Sequence, residues 1–187
     1  MYVHHFVSPV HSVLGPGDRL CLWTTGCPRR CEHCISPELQ IKENGFDIDV
    51  KTLFETIKPY LDKCDGVTIS GGEPFWQAQE LHELVTLLRC VVDDILVYTG
   101  YELSEISEEY LGGVSAVIDG PYKHELNCGG ELPWGSSNQK LHVLDDDKLK
   151  EKYALWVKTY PQNTVQNFYS SDGVYSVGMH FSAISED

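Results

Sequence analysis

The sequence has little of what would connect it to a membrane, to nucleic acid or to the cell exterior. No apolar run approaches the length of a bilayer span, and no segment has the pattern of a secretory signal. Lysine and arginine number only 14 against 28 aspartates and glutamates, which gives a net charge of −14. Such a surface repels phosphate backbones and anionic lipids. We therefore expect no nucleic-acid or membrane partner, and a reducing cytoplasm as the location.

The sequence also lacks a second cysteine pair that would complete a closed metal site. Three of its seven cysteines, Cys27, Cys31 and Cys34, form the motif C-x3-C-x2-C, and no fourth cysteine lies close by. Four thiolates would close a zinc or iron–sulfur site, whereas three thiolates on a cubane leave one iron open. The motif therefore favours a [4Fe–4S] cluster whose open iron can bind a reacting group.

Other interpretations of the cysteines explain less of the sequence. Zinc bound by the three cysteines and His33 would usually show two separated ligand pairs. A thioredoxin-like pair at Cys31 and Cys34 leaves Cys27 unexplained, and a disulfide framework fits poorly with an odd number of cysteines. The scattered Cys21, Cys64, Cys90 and Cys128 are expected to be small buried hydrophobes.

Strand-like and helix-like segments alternate along the first three quarters of the chain. Apolar runs predict strands at residues 20–25, 67–70, 95–98 and 114–118. Helical spacing of apolar residues predicts helices after Asp49, which would be an N-cap, over residues 81–88 and over 103–110. This order indicates parallel βαβ units, and four or five units cannot close an eight-stranded barrel. We therefore predict an α/β fold, an open partial (β/α) barrel, over residues 1–144.

Four groups of unusual residues each follow the carboxyl end of a predicted strand. They are the cysteine motif, Gly71-Gly72-Glu73, Thr99-Gly100 and Asp119-Gly120. Binding and catalytic residues gather at this edge in parallel α/β folds. We therefore expect these residues to form one site.

The character of the sequence changes after residue 145. Asp145, Asp146 and Asp147 precede an amphipathic helix, with acidic residues at the positive end of its dipole. Residues 164–170 and 174–181, on either side of 171–173, then predict a β-hairpin. We expect residues 145–187 to be a helix-plus-hairpin extension packed on the core.

The motifs, in their order along the chain, resemble those of a known family. The segments GPGDRLCLWTTGCPRRCEHC, SGGEP, VYTGYEL, VIDGPY and GSSNQ are similar to those of anaerobic ribonucleoside-triphosphate reductase-activating proteins. These are small radical S-adenosylmethionine (SAM) activases of glycyl-radical enzymes, related to pyruvate formate-lyase-activating enzymes. The resemblance runs from about Gly15 to Leu144 and implies a partial barrel of the radical SAM type.

The resemblance also implies roles for particular residues. Cys27, Cys31 and Cys34 would bind the [4Fe–4S] cluster, whose open iron binds SAM. The other implied SAM contacts are Gly71, Gly72 and Glu73 at the amino group, Thr99 and Asp119 around the carboxylate and the substrate glycine, and Ser136, Ser137 and Asn138. That serine–asparagine segment could equally be an ordinary polar turn before a strand at residues 140–143. His33 stands where the family usually carries an aromatic residue near the adenine, and packing is favoured over metal ligation. Arg29 and Arg30 could offset the charge of the cluster or be solvated surface cations.

The family reaction is reductive cleavage of SAM followed by hydrogen abstraction from a backbone glycine of a large partner enzyme. By resemblance the partner is anaerobic ribonucleotide reductase, and a flavodoxin or ferredoxin supplies the electron. Two departures stand out: Pro121 replaces a lysine common in activases, and the compact reductase activases have no counterpart of residues 145–187. Activation of another glycyl-radical enzyme and stand-alone modification of a peptide or small molecule remain alternatives. A non-catalytic iron–sulfur protein is disfavoured, because an electron carrier has no use for the SGGEP segment.

Overall fold

The computed structural model describes residues 1–170 and 173–179, and its centre is a seven-stranded mixed sheet. The strands are β1 (Tyr2–His11), β2 (Asp18–Thr24), β3 (Phe46–Asp47), β4 (Gly66–Gly71), β5 (Ile95–Tyr98), β6 (Ala116–Asp119) and β7 (Lys140–Val143). Their order across the sheet is β3-β1-β2-β4-β5-β6-β7. Four helices accompany them, α1 (Val50–Ile57), α2 (Ala78–Leu88), α3 (Glu108–Leu111) and α4 (Asp147–Lys158). A separate hairpin consists of β8 (Gln166–Ser170) and β9 (Gly173–Val177).

The four strands predicted to be parallel are parallel neighbours in the structure. β2 pairs with β4, β4 with β5 and β5 with β6. The sheet continues with antiparallel strands on both sides, β1 and β3 beyond β2 and β7 beyond β6. In the described residues the end strands β3 and β7 are not paired with each other. The open partial barrel therefore stays a prediction.

The predicted helices are present, with one difference. The side chain of Asp49 accepts a 3.1 Å hydrogen bond from the Thr52 N–H, which confirms it as the N-cap of α1. The predicted helix over residues 103–110 is wrong as a continuous element. It is a 3-10 turn, Leu103–Glu105, with a capping box between Glu102 and Glu105 at its start, followed by the four-residue α3. The turn ends because Ile106 is extended, with φ −97° and ψ 127°, so the helical backbone is interrupted before α3.

The sheet buries a separate core on each face. Alternate residues such as Leu20, Leu22 and Ile69 pack with α1 and α2 in one cluster. Their neighbours Cys21 and Leu96 pack in a second cluster. The prediction of buried cysteines is right for Cys21 only. Of the other three, Cys64 and Cys128 are half-buried and Cys90 is exposed, because they lie in turns and loops outside the sheet.

The extension supplies much of the second core. Tyr153, Trp156, Tyr160 and Val177 are buried there against the sheet. The side chain of Asp146 accepts a 3.0 Å hydrogen bond from the Leu149 N–H and caps α4. The predicted hairpin is confirmed for β8 and β9, whereas Ser171, Asp172 and Phe181 lie outside the described residues. The division of the chain after residue 144 stays a prediction.

A buried ion pair lies at the amino-terminal ends of β2 and β5, and two residues of α4 bind its carboxylate. Arg19 (0% exposed) and Asp94 (2% exposed) form two contacts of 3.0 and 3.1 Å. The hydroxyl of Tyr153 and the ammonium group of Lys152 each donate to the Asp94 carboxylate at 2.7 Å. This network lies at the opposite end of the strands from the cysteine motif. In the part of the chain that the structure describes, no helix has the length and apolar character needed to cross a membrane.

Candidate functional site

The cysteine motif begins directly after β2, in a loop held by backbone hydrogen bonds. The N–H of Gly26 donates to the Leu39 carbonyl at 2.8 Å, and the N–H of Cys27 donates to the Gln40 carbonyl at 3.1 Å. Gly26 has a φ of +88°, and a Cβ there would collide with the indole of Trp76. Glycine is therefore needed where the strand turns into the loop.

The three thiols of the motif line one cavity of about 350 Å³. Gly71, Gly72, Glu73, Thr99, Gly100, Gly120 and His33 line the same cavity. Loops from the carboxyl ends of β2, β4, β5 and β6 therefore meet there, as the strand order predicts. Such a volume is within the usual range for small-molecule sites.

The chemistry of three free thiols fits an iron–sulfur cubane. All three cysteines are free and half-buried. Among the described residues, no three histidine, cysteine or acidic side chains are grouped tightly enough to hold one ion. A cubane is wider, because each thiolate binds a different iron, so its ligands spread around a cavity. Burial raises the pKa of the Cys27 thiol, and the nearby N–H groups of Arg29 and Arg30 act in the opposite direction.

The two glycines of SGGEP bring their turn against the cysteine loop. The N–H of Gly72 donates to the Thr24 carbonyl at 2.9 Å, and that of Glu73 donates to the Gly26 carbonyl at 2.8 Å. A Cβ on Gly71 would collide with the backbone of Thr24, and one on Gly72 with the Gly26 carbonyl. Both glycines line the cavity, but the space of their missing side chains is occupied by the protein's own backbone.

Glu73 is fully buried and holds two of the loops around the cavity. One carboxylate oxygen accepts hydrogen bonds from the Phe75 N–H at 2.9 Å and the Thr99 hydroxyl at 2.8 Å. The other accepts from the Gly100 N–H at 2.8 Å. Burial raises the pKa of the Glu73 carboxyl, while these hydrogen bonds partly offset that rise. Glu73 therefore positions the loops as well as lining the site.

Asp119 and Asn138 line a neighbouring cavity of about 720 Å³ rather than the cysteine cavity. The Asp119 carboxylate accepts from the Leu103 N–H at 2.8 Å and lies 3.1 Å from Nε2 of His142. The side-chain amide of Asn138 donates to the Pro121 carbonyl at 2.8 Å. Gly120 lines both cavities and so marks their boundary.

The GSSNQ segment reaches the cysteine cavity through Gly135 and Gln139. The side chain of Gln139 accepts from the Gly135 and Ser136 N–H groups and donates to the Gly120 carbonyl at 3.0 Å. Ser136 is buried and accepts from the Lys123 N–H at 3.1 Å; in the described chain it lines neither cavity. Ser137 is exposed. The N–H of Gln139 donates to the Ser136 carbonyl at 3.0 Å, so the serines lie in a turn before β7, and their part in a SAM pocket stays a prediction.

The two cations of the cysteine loop differ in their surroundings. Arg29 is half-buried, donates to Glu105 at 2.6 Å and lies over the Tyr101 ring at 4.6 Å from its centroid. Arg30 is exposed. His33 packs on His124, with ring centroids 4.2 Å apart. His33 also lines the cysteine cavity, and its packing near an adenine stays a prediction.

Sequence reasoning missed several residues of the cavity wall. Tyr98, Tyr122, Asn127, Trp134 and Met179 all line the cysteine cavity. Tyr98 directly precedes Thr99-Gly100, and Trp134 directly precedes GSSNQ. Their positions beside these motifs could have identified both as residues of the cavity wall. Met179 follows the hairpin, and no motif there pointed to the site.

Comparisons with known proteins show which family the chain resembles. The family model described as "4Fe-4S single cluster domain" matches residues 13–142. The anaerobic ribonucleoside-triphosphate reductase-activating protein of Enterobacteria phage T4 is 34% identical over 152 residues, which cover 77% of this chain and 96% of that protein. Its namesake from Escherichia coli (strain K12) is 29% identical over 151 residues, 75% of this chain and 98% of that protein.

A second kind of activating enzyme matches part of the chain. The pyruvate formate-lyase-activating enzyme of Staphylococcus aureus (strain USA300) is 39% identical over 90 residues, 46% of this chain and 36% of that protein. The family model covers well over half of the chain, and the phage protein is matched over nearly its whole length. The chain therefore belongs to the 4Fe–4S single cluster domain family and, within the radical SAM activating enzymes of glycyl-radical enzymes, to the group of the anaerobic ribonucleoside-triphosphate reductase-activating proteins.

Proposed function

We propose that this chain binds a [4Fe–4S] cluster and SAM in the cysteine cavity and generates a glycyl radical on a partner enzyme, anaerobic ribonucleotide reductase. The observation that carries the proposal is the meeting of three free thiols with Gly71, Gly72 and Glu73 around one cavity. The cluster and SAM, when bound, supply reductive SAM cleavage and hydrogen abstraction. The product is a glycyl radical on the partner enzyme.

The residues of the cavity would hold and orient these groups. Cys27, Cys31 and Cys34 are the cluster ligands, since thiolates are the usual ligands of iron–sulfur clusters. Glu73 keeps the loops after β4 and β5 in place through its three hydrogen bonds. A carboxylate can accept about four hydrogen bonds, so one position is left for the ammonium group of SAM.

The neighbouring cavity supports a macromolecular substrate. It shares Gly120 with the cysteine cavity, and its wall includes Lys123, Lys140 and His142 alongside Asp119. Such a mixed polar wall can pair with the backbone and side chains of an entering polypeptide segment. A segment seated there would lie next to the cofactor cavity and would itself exclude water from it. A flavodoxin or ferredoxin is proposed as the electron donor on family grounds.

The test uses the reconstituted protein with SAM, reductant and the anaerobic ribonucleotide reductase of the same organism. A glycyl-radical signal should appear in the electron paramagnetic resonance spectrum of the reductase, and 5′-deoxyadenosine should form much faster than without it. The matched control is a reductase in which the radical-bearing glycine is replaced by alanine, which should give no signal. A radical on a different glycyl-radical enzyme instead would reassign the partner. Turnover of a free peptide or metabolite, with no radical on any such enzyme, would favour the stand-alone alternative.

A further inference from the structure

One wall of the cysteine cavity is aromatic and apolar. It contains Tyr98, Trp134 and Met179, which all pack with the second core of the sheet. The Tyr98 hydroxyl donates to the Pro133 carbonyl at 2.7 Å and so fixes the backbone directly before Trp134. The position of the Trp134 ring is therefore set by the core.

The indole nitrogen of Trp134 is buried, and in the described residues it has no hydrogen-bond partner. Buried N–H groups in proteins are nearly always paired, because leaving one unpaired is costly. None of the other three tryptophans has a buried indole nitrogen that lacks a partner in the described residues. Trp156, for example, donates to the Ser12 carbonyl at 2.8 Å. A buried donor on a side chain that lines a cofactor cavity suits an acceptor group of the ligand.

We propose that Trp134 positions the adenosine part of SAM by donating its indole N–H to an acceptor there, with Met179 packing beside it. The inference rests on the proposed function, because SAM is the ligand. The SAM ammonium is itself a donor and the sulfonium is cationic, so neither can accept this bond. The carboxylate is a poor match for an apolar wall, whereas adenosine offers ring and ribose acceptors together with an apolar face.

Met179 gives the extension a direct part in this site. It follows β9, beyond residue 142 where the match to the family model ends. The extension therefore completes the nucleoside end of the cavity as well as covering the sheet. Met179 suits this position because its flexible, polarizable side chain packs well against aromatic rings.

The experiment measures ligand affinity, and it needs no partner enzyme. Equilibrium dialysis on the cluster-loaded protein should show that Trp134→Phe weakens SAM binding about two- to twelve-fold, the range for one neutral hydrogen bond. The same factor should apply to 5′-deoxyadenosine, whereas binding of L-methionine should not change. Met179→Ala should also weaken both nucleoside ligands and not methionine.

Two control variants separate positioning from general loosening of the structure. Trp156→Phe removes an indole from the same core but away from the cavity, and Val174→Ala alters an exposed residue of the same extension. Both should keep wild-type SAM affinity. Three results would overturn the inference and leave the proposed function standing. They are unchanged SAM affinity in Trp134→Phe, a loss of affinity confined to methionine, and an equal loss of SAM affinity in Trp156→Phe. A cluster-loaded wild-type protein that binds no SAM overturns the proposed function and this inference with it.

Discussion

The hydroxyl of Thr99 donates a 2.8 Å hydrogen bond to the buried carboxylate of Glu73 and so joins the loops that follow β4 and β5. The same carboxylate also accepts from the N–H of Gly100, the next residue in that loop. One side chain from the SGGEP segment therefore sets the spacing of two loops around the cysteine cavity. We therefore expect the affinity of that cavity for SAM to depend on this carboxylate both through direct contact and through the position of the two loops.

Glu73→Ala should lower both stability and SAM affinity. Three buried donors lose their acceptor, so the free energy of unfolding should fall by about 2–4 kcal/mol. SAM binding should weaken by about 1.5–3 kcal/mol, as for a lost charge-assisted hydrogen bond. Denaturant unfolding and equilibrium dialysis measure the two effects. Thr99→Val, which removes one of the three donors, is the matched variant and should show a smaller loss of stability. Wild-type SAM affinity in a folded Glu73→Ala protein would remove Glu73 from the site.

Asp94→Ala should be among the most destabilising substitutions in the chain. It leaves the guanidinium of Arg19 buried without its carboxylate, which costs about 3–5 kcal/mol in comparable buried pairs. Lys152→Ala removes a partner of the same carboxylate that is partly exposed, and should cost at most about 1 kcal/mol. Chemical denaturation of the two variants provides the comparison. Equal losses in both would show that the buried Arg19–Asp94 pair contributes no more than the Lys152 contact.

The Arg19–Asp94 pair should make the free energy of unfolding fall at acid pH. Burial acts to raise the pKa of Asp94, but the charge and hydrogen bonds of Arg19, with those of Lys152 and Tyr153, outweigh it and lower that pKa below its ordinary value of 3.8. The ionised group therefore contributes stability that is fully present above pH 3.8 and is lost as the pH falls through the lowered pKa. The free energy of unfolding, measured downward from neutral pH, should decline less steeply in Asp94→Asn. Parallel curves for the two proteins would contradict the assignment.

Much of this arrangement could be predicted from the sequence, because the site motifs follow short apolar strands directly. β1 could not be predicted: its pairing with β2 is antiparallel and irregular, with a register shift between Val7 and Val10 where Pro9 interrupts the ladder. The direction of the Asp119 side chain could not be predicted either, because it is set by contacts to Leu103 and His142 from other segments. Met179 enters the cavity wall only through the packing of the extension, which leaves no local pattern.

Iron content should separate the motif cysteines from the others. Anaerobic reconstitution should give about four irons per chain, and Cys27→Ala, Cys31→Ala or Cys34→Ala should abolish the cluster, because two thiolates do not hold a cubane. Cys90→Ala is the matched control, since Cys90 is exposed and lies outside the cavity. Iron analysis and the spectrum of the reduced cluster give the result. A stoichiometric zinc that survives in air would disprove the cluster assignment.

Arg29 and Arg30 offer a matched pair for testing how the cysteine loop sets the reduction potential of the cluster. Arg29 is half-buried and lines the cavity, and Glu105 at 2.6 Å offsets part of its charge, whereas Arg30 is exposed. A nearby cation favours the reduced cluster, which carries one more negative charge. Arg29→Ala should therefore lower the midpoint potential by an amount on the order of tens of millivolts, and Arg30→Ala by less, because water and salt screen an exposed charge. Redox titration followed by electron paramagnetic resonance measures both variants. The shift in midpoint potential caused by Arg29→Ala should be larger in a Glu105→Gln background, because the charge of Arg29 is no longer offset there. Equal shifts for the two arginines would show that Arg29 does not act on the cluster more strongly than an exposed cation.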